Sequence, residues 1–253
     1  KIFTAVMKNH LMNIFPNNDE MNALDFSIIN ATYQVHAYLV EHMKPTPLQS
    51  HYKFNTFSIF NNCIQGMLLT TKKSFFPPKN KSSRKVPTVV NVCRVWCNEM
   101  SRAYVDRLRT EKDRSEIRKV IADNAIDCFD LEVLELFPLH AKSNMNKPEP
   151  SLSYAQCVDH IFIGNIDCTF DQEDQKDVKK KKPKTSKQDK KMIHSHYKEL
   201  TFKALEKLFT TKKFTLKYPN ILFQKYLIQH VLNIVRSISN YQHMLLIGTS
   251  GKQ

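Results

Sequence analysis

The sequence predicts a mainly α chain: a helical bundle over residues 1–137, a linker over 138–196, and an α/β opening over 197–253. Three observations carry this. Apolar residues recur at i, i+3 and i+4 through most of the first 137 positions, the period of amphipathic helices. Only 4 of 253 residues are glycine, which disfavours tight β-hairpins and Gly-rich cofactor loops. Finally, the apolar run Met244–Ile247 breaks into Gly248-Thr249-Ser250-Gly251-Lys252-Gln253, as a buried strand breaks into a phosphate-binding loop.

The elements follow in order. Lys1–Phe15 places Ile2, Phe3, Val6, Met7, Leu11, Ile14 and Phe15 on one face and predicts the first helix. Pro16-Asn17-Asn18-Asp19 breaks it with turn chemistry. A second helix is predicted from Met21 to Met43, stopped by Lys44-Pro45-Thr46-Pro47, because a residue before proline is pushed out of the α region. His51–Asn55 reads as a short extended approach to a third helix, Phe57–Leu69. Phe75–Pro87 is basic and proline-containing, so it reads as a surface loop.

The clearest helix is Val89–Arg109, with Val89, Cys93, Trp96, Met100, Ala103, Tyr104 and Leu108 opposite Arg94, Asn98, Arg102 and Arg109. Glu111–Phe129 continues as another, apolar at Ile117, Val120, Ile121, Ile126 and Phe129. Together these make a bundle with short or proline-marked connections.

Pro138–Tyr154 is linker-like, and His160–Gly164 is a short apolar island. Asp171–Lys191 is charged and of low complexity, too poor in apolar residues to order itself. Helices are then predicted over Tyr197–Phe209 and Ile221–Ser239, with Arg236 near the end of the second, where the helix dipole favours a cation.

The net charge is +14, and nine lysines against two aspartates between Lys176 and Lys191 supply half of it. A solvated insert explains that tract better than a nucleic-acid contact, since no aromatic residue interleaves with the lysines to stack on bases. No run approaches the roughly 18 apolar residues a membrane span needs. The amphipathic start has no signal-peptide cleavage site. The chain begins at Lys1 within an apolar repeat and stops within a loop motif, so a fragment is expected.

Six cysteines at 63, 93, 97, 128, 157 and 168 form no C-x-x-C pair, which suggests reduced thiols in a cytosolic setting. Cys157, His160 and Cys168 could surround a metal, but no set of four has zinc spacing, so none is assigned.

The candidate nucleotide-binding residues are Gly248, Thr249, Ser250, Gly251, Lys252 and Gln253. Backbone N–H groups of such a loop crowd round an anion and its lysine reaches the outer phosphates. The stretch departs from G-x-x-x-x-G-K-[ST]: two residues instead of four separate its glycines, and no Ser/Thr follows Lys252 to hold Mg²⁺. On spacing alone, a strand followed by a Gly-Ser turn is the better reading.

The order of the pieces resembles the dynein heavy chain. Arg94-Val95-Trp96-Cys97-Asn98-Glu99-Met100-Ser101-Arg102, then Asp106-Arg107-Leu108 and Glu111-Lys112-Asp113-Arg114, is similar to that family's R-x-W-x-x-E-x-x-R-x-x-x-D-R-L…E-x-D-R signature in the lid of the third AAA+ module. Thr46-Pro47…Ser50-His51-Tyr52-Lys53-Phe54-Asn55 and Gln65-Gly66-Met67-Leu68 resemble the same lid's T-P-x-x-S-H-Y-x-F-N…Q-G-x-L. Ile161–Asn165, Tyr197–Leu200 and Leu222–Arg236 are similar to the approach to the fourth module, and Met244–Gln253 sits where its first strand and Walker A loop belong.

The resemblance implies a helical AAA+ lid over 1–137, a linker with a Lys-rich insert over 138–196, and the start of the next AAA+ module over 197–253. It implies an ATP-driven, minus-end-directed microtubule motor of cytoplasm and cytoskeleton, axonemal in type and so placed in cilia or flagella. ATP and Mg²⁺ would be its cofactors. The other AAA+ modules of the same chain would be its partners, with intermediate chains, light chains and microtubules reached through other parts. Membrane and nucleic acid are not expected as partners.

Two departures stand out. Where the family has L-R-D-L-S after F-N, with an arginine placed to sense phosphates, this chain has Thr56-Phe57-Ser58-Ile59. A guanidinium fork has no counterpart in a phenyl ring. The Walker A loop is also shortened. No catalytic residue and no metal ligand is assigned, and the implied role is structural or regulatory coupling between ring modules. The alternative is a basic nucleic-acid-binding or scaffold protein that uses the lysine tract.

Overall fold

The computed structural model describes residues 1–15, 18–75, 89–137, 158, 161–166, 193–200, 202–209 and 225–239. The chain divides into two compact units, Lys1–Ile161 and Phe162–Gln253.

The first unit is a helical bundle. α1 (Ile2–Ile14) buries Met7 and Leu11. The helix predicted from Met21 is two pieces, α2 (Asp19–Asn22) and α3 (Leu24–His42), with Ala23 between them. The physical cause is local. Asn18 starts α2 early by accepting from the Met21 amide at 3.1 Å, and the Asn22 side chain donates to the Phe15 carbonyl at 3.2 Å, tying the turn back to α1. α3 buries Leu24, Ile28, Ala31, Thr32, Val35, His36 and Leu39, and stops ahead of Pro45.

Residues 43–55 pass through a short 3₁₀ turn, Pro47–Gln49, and lead into α4 (Thr56–Phe75). α4 runs six residues past the predicted Leu69. Thr71, which would be a polar edge in isolation, is buried and returns its hydroxyl to the Met67 carbonyl.

α5 (Val89–Tyr104) is shorter than predicted. The chain leaves the α-helix through a 3₁₀ turn, Val105–Arg107, instead of continuing to Arg109. The reason is the next helix. Thr110 caps α6 (Glu111–Phe129) from an extended conformation, its hydroxyl accepting from the Asp113 amide at 3.1 Å, and an N-cap cannot also be helical. α6 closes on Asp130 in the left-handed region (φ 51°), with the Leu131 amide returning to the Ile126 carbonyl, the geometry usually given to glycine. A single turn, α7 (Val133–Leu136), follows.

α5 is the axis of this unit, buried on nearly every side from Val92 to Tyr104. The expected polar face is therefore corrected at Asn98, which is buried and donates to the Ile161 carbonyl at 3.1 Å. α6 packs on α3 and α5, and α4 packs on α5.

In the second unit, β1 (Phe162–Ile166) and β2 (Ile193–Leu200) form an antiparallel pair in register Phe162↔Leu200, Ile163↔Glu199 and Gly164↔Lys198, with an irregularity before Ile166↔Ile193. This corrects the predicted helix over Tyr197–Phe209: Tyr197–Leu200 belong to a strand, and α8 covers only Phe202–Phe209. The apolar island becomes β1, so β1 and the first half of β2 lie in the stretch read as linker. α9 (Lys225–Ser239) packs on β1. A small core joins Leu200, Leu205, Leu208 and Phe209 to Ile228 and Leu232. Arg236, read as a cation at a helix end, is buried. The Lys-rich tract, the loop 76–88, the linker 138–154 and the strand and loop at 244–253 lie outside the described residues.

Candidate functional site

The signature residues around Trp96 converge on interhelical contacts. Trp96 is fully buried on α5, stacks at a tilt on Phe129 of α6 (centroids 5.5 Å apart), and donates its Nε1 to Thr32 Oγ1 of α3 at 2.9 Å. The Thr32 hydroxyl donates in turn to the Ile28 carbonyl at 2.7 Å, so the indole N–H, the hydroxyl and that carbonyl are satisfied in series. Truncating a ring this deeply buried costs about 3–5 kcal/mol.

One turn on, Glu99 is buried and accepts from Arg102 Nη2 at 3.1 Å, Arg102 Nε at 3.2 Å and Thr70 Oγ1 of α4 at 3.0 Å. A buried carboxylate costs several kcal/mol to desolvate, and the paired guanidinium and the hydroxyl offset that cost. Arg94 donates to the Leu136 carbonyl and pins α7 to α5. Cys63 of α4 points its thiol at the Met100 sulfur of α5, 3.1 Å away.

His36 and Tyr104 form a second buried pair, with His36 Nδ1 3.1 Å from the tyrosine hydroxyl. Burial lowers the His36 pKa, because a charged imidazolium has little solvation there. Burial likewise pushes the Tyr104 phenol far above its usual range. Cys93 and Cys97 lie together inside the bundle, and burial raises the Cys93 thiol well above the ordinary value, with Cys97 reinforcing it. A protonated, buried thiol is a packing residue and a poor nucleophile.

The E-x-D-R piece also has a structural use. Asp113 accepts from the Tyr52 hydroxyl at 2.7 Å, and the same hydroxyl accepts the Arg109 amide at 2.9 Å. Arg109 Nη1 donates to the Leu48 carbonyl at 3.1 Å. Arg114 Nε donates to the Leu108 carbonyl at 2.8 Å, and Glu111 takes Arg118 at 2.5 Å. The segment resembling S-H-Y-x-F-N is thus bound to the start of α6. Loss of solvent raises the Tyr52 pKa, and the bond to Asp113 adds to it.

Of the sequence-predicted nucleotide residues, Gly248, Thr249, Ser250, Gly251, Lys252 and Gln253 lie outside the described residues, as do Cys157, His160 and Cys168. Thr56–Ile59, which replace the family's arginine-bearing stretch, form the first turn of α4. Among the described residues no group of three or more His, Cys, Asp or Glu is placed to hold a metal, and no helix is long and apolar enough to cross a membrane. The polar partners Thr32, His36 and Thr70 were not singled out from sequence. Their signal was a polar residue inside an otherwise apolar stripe, which does not say what it will meet.

Comparison with known proteins agrees with this geometry. Residues 28–136 match the model of the AAA+ lid domain. The chain is 25% identical over 145 residues to the ciliary dynein beta chain of Heliocidaris crassispina, covering 57% of this chain and 3% of that one. It is 26% identical over 140 residues to dynein axonemal heavy chain 10 of Homo sapiens (54% and 3%). It is 32% identical over 100 residues to dynein axonemal heavy chain 1 of Mus musculus (40% and 2%). It therefore spans only a few per cent of the length of these relatives. No solved structure matches. The bundle that buries Trp96 and Glu99 matches the AAA+ lid domain, and about half of the chain is similar to ciliary and axonemal dynein heavy chains.

Proposed function

We propose that this chain is a coupling segment of a dynein motor ring, with residues 1–137 as the lid of one AAA+ module, 138–196 as a linker and 197–253 as the start of the next. What supports this best is the use made of the signature residues. Arg94, Trp96, Glu99 and Asp113 all face other elements of the lid and hold them at fixed angles. A lid built this way passes on displacement as one body, because packed cores deform little. Its own nucleotide contacts are degenerate: Phe57 stands in place of a phosphate-sensing arginine, and the Gly248–Gln253 loop is short.

In this reading ATP and Mg²⁺ act at other modules, where phosphoryl transfer rests on a complete Walker lysine, metal and arginine set. The other modules are the direct partners. Microtubules, intermediate chains and light chains are engaged elsewhere in the heavy chain, and the assembly works in the axoneme. The test is microtubule-stimulated ATP turnover by the natural-length heavy chain carrying Thr70→Val, which loosens Glu99 without emptying the core. Coupling predicts a lower stimulated rate with an unchanged basal rate. An unchanged stimulated rate in a correctly folded variant would refute it.

A further inference from the structure

We propose that residues 44–55 form a latched strap, held shut by the Tyr52 hydroxyl and able to open as a unit with the first turn of α4 while the bundle stays folded. The proposal stands on geometry and does not depend on the coupling role, so the two fail separately.

Three observations carry it. Between α3 and α4 the strap has one buried residue, Tyr52 at 2% exposure, while Leu48 beside it is 80% exposed. Three polar ties run from it to one short stretch at the start of α6: Tyr52 to Asp113 and Arg109, and the Leu48 carbonyl to Arg109. Thirdly, a concavity of about 500 Å³ is lined by Val40 and Met43 at the end of α3 and by Pro45, Tyr52, Lys53, Phe54 and Asn55 of the strap. A segment with one buried residue, one further ring contact (Phe54 to Tyr104, centroids 6.4 Å apart) and an open concavity along its length belongs to the low-stability end of a fold, where local opening precedes global unfolding.

The strap's own hydrogen bonds are short-range: Gln49 amide to Thr46 carbonyl at 2.9 Å and Tyr52 amide to Gln49 carbonyl at 3.0 Å. They shape the segment but do not fasten it. The buried tie among the strap's contacts with the bundle is the phenol, which uses its proton on a carboxylate and its lone pair on a backbone amide, alongside the exposed Leu48–Arg109 bond and the contact of the Phe54 ring with Tyr104. Because the strap runs straight into Thr56, release of Tyr52 frees the first turn of α4.

The test is hydrogen exchange, followed amide by amide on the whole 253-residue chain, comparing wild type, Tyr52→Phe and Tyr38→Phe. Tyr38 makes a like bond to Glu116 of the same helix at 2.8 Å but does not touch the strap, so it controls for the loss of any tyrosine–carboxylate bond. In Tyr52→Phe, exchange at Gln49, Tyr52, Phe60 and Asn61 should rise about tenfold, the factor that corresponds to losing one charge-assisted hydrogen bond. Amides of α5 and α6 should be unmoved, and Tyr38→Phe should leave the strap at wild-type rates. Asp113→Ala, which keeps the phenol and removes its acceptor, should repeat the pattern. A rise spread evenly over α5 and α6, or strap amides that do not change in either latch variant, overturns the latch.

Discussion

Replacing Glu99 with alanine removes the acceptor of three hydrogen bonds at the centre of the lid. Two come from Arg102, whose side chain keeps only 18% of its exposure, and one from the buried Thr70 hydroxyl. Breaking a buried pair costs about 3–5 kcal/mol, because the surviving charge is left without compensation. Arg102 retains some solvent, so the lower end applies, about 3 kcal/mol. For a unit of this size each kcal/mol moves the melting temperature by about 2–4 °C, which gives a fall of about 6–12 °C. Differential scanning calorimetry of the full chain reads this directly. Glu99→Gln keeps the shape and one carbonyl acceptor, so it should lose about half as much. The double change Glu99→Met with Arg102→Met should recover most of the loss, since apolar residues of similar volume can replace a buried pair. A fall below about 2 °C for Glu99→Ala would show that this network does not tie α4 to α5, and the reasoning would fail.

Further outcomes follow from single positions. Asp130 ends α6 at φ 51°, so Asp130→Gly should stabilise the lid by about 1 kcal/mol, seen as a higher urea midpoint with unchanged slope. Thr110→Ala removes the α6 cap and should cost about 1 kcal/mol by the same assay. His36 has a depressed pKa in the fold, so the unfolded chain binds the proton first. Stability is full above pH 6.5 and falls as pH drops from there toward the folded pKa, and His36→Gln should flatten that part of the pH–stability curve.

Most helices of the first unit could be read from sequence, though not all of their ends, because each is written in its own residues. The apolar period marks α6 from Glu111 to Phe129, while the Thr110 cap that fixes its start came from the structure. The β1–β2 pair could not. Ile193–Leu200 is a strand because Phe162–Ile166 lies beside it, about thirty residues earlier in the chain, and a window centred on Tyr197 sees only a lead into α8. The site divides in the same way. Trp96 and Glu99 were marked by the resemblance, but their partners Thr32 and Thr70 sit on other helices at distances in sequence that no local pattern encodes. The role of Tyr52 was hidden for the same reason, since its acceptor Asp113 lies in a later helix.

The central claim is that this segment couples ring modules without holding a nucleotide of its own. The direct measurement is the number of ATP molecules bound at equilibrium per natural-length heavy chain, compared between wild type and Lys252→Ala. Under the proposed coupling role, the number is the same in both. The loss of one bound ATP on removing Lys252 would contradict the claim and make the Gly248–Gln253 loop a working site.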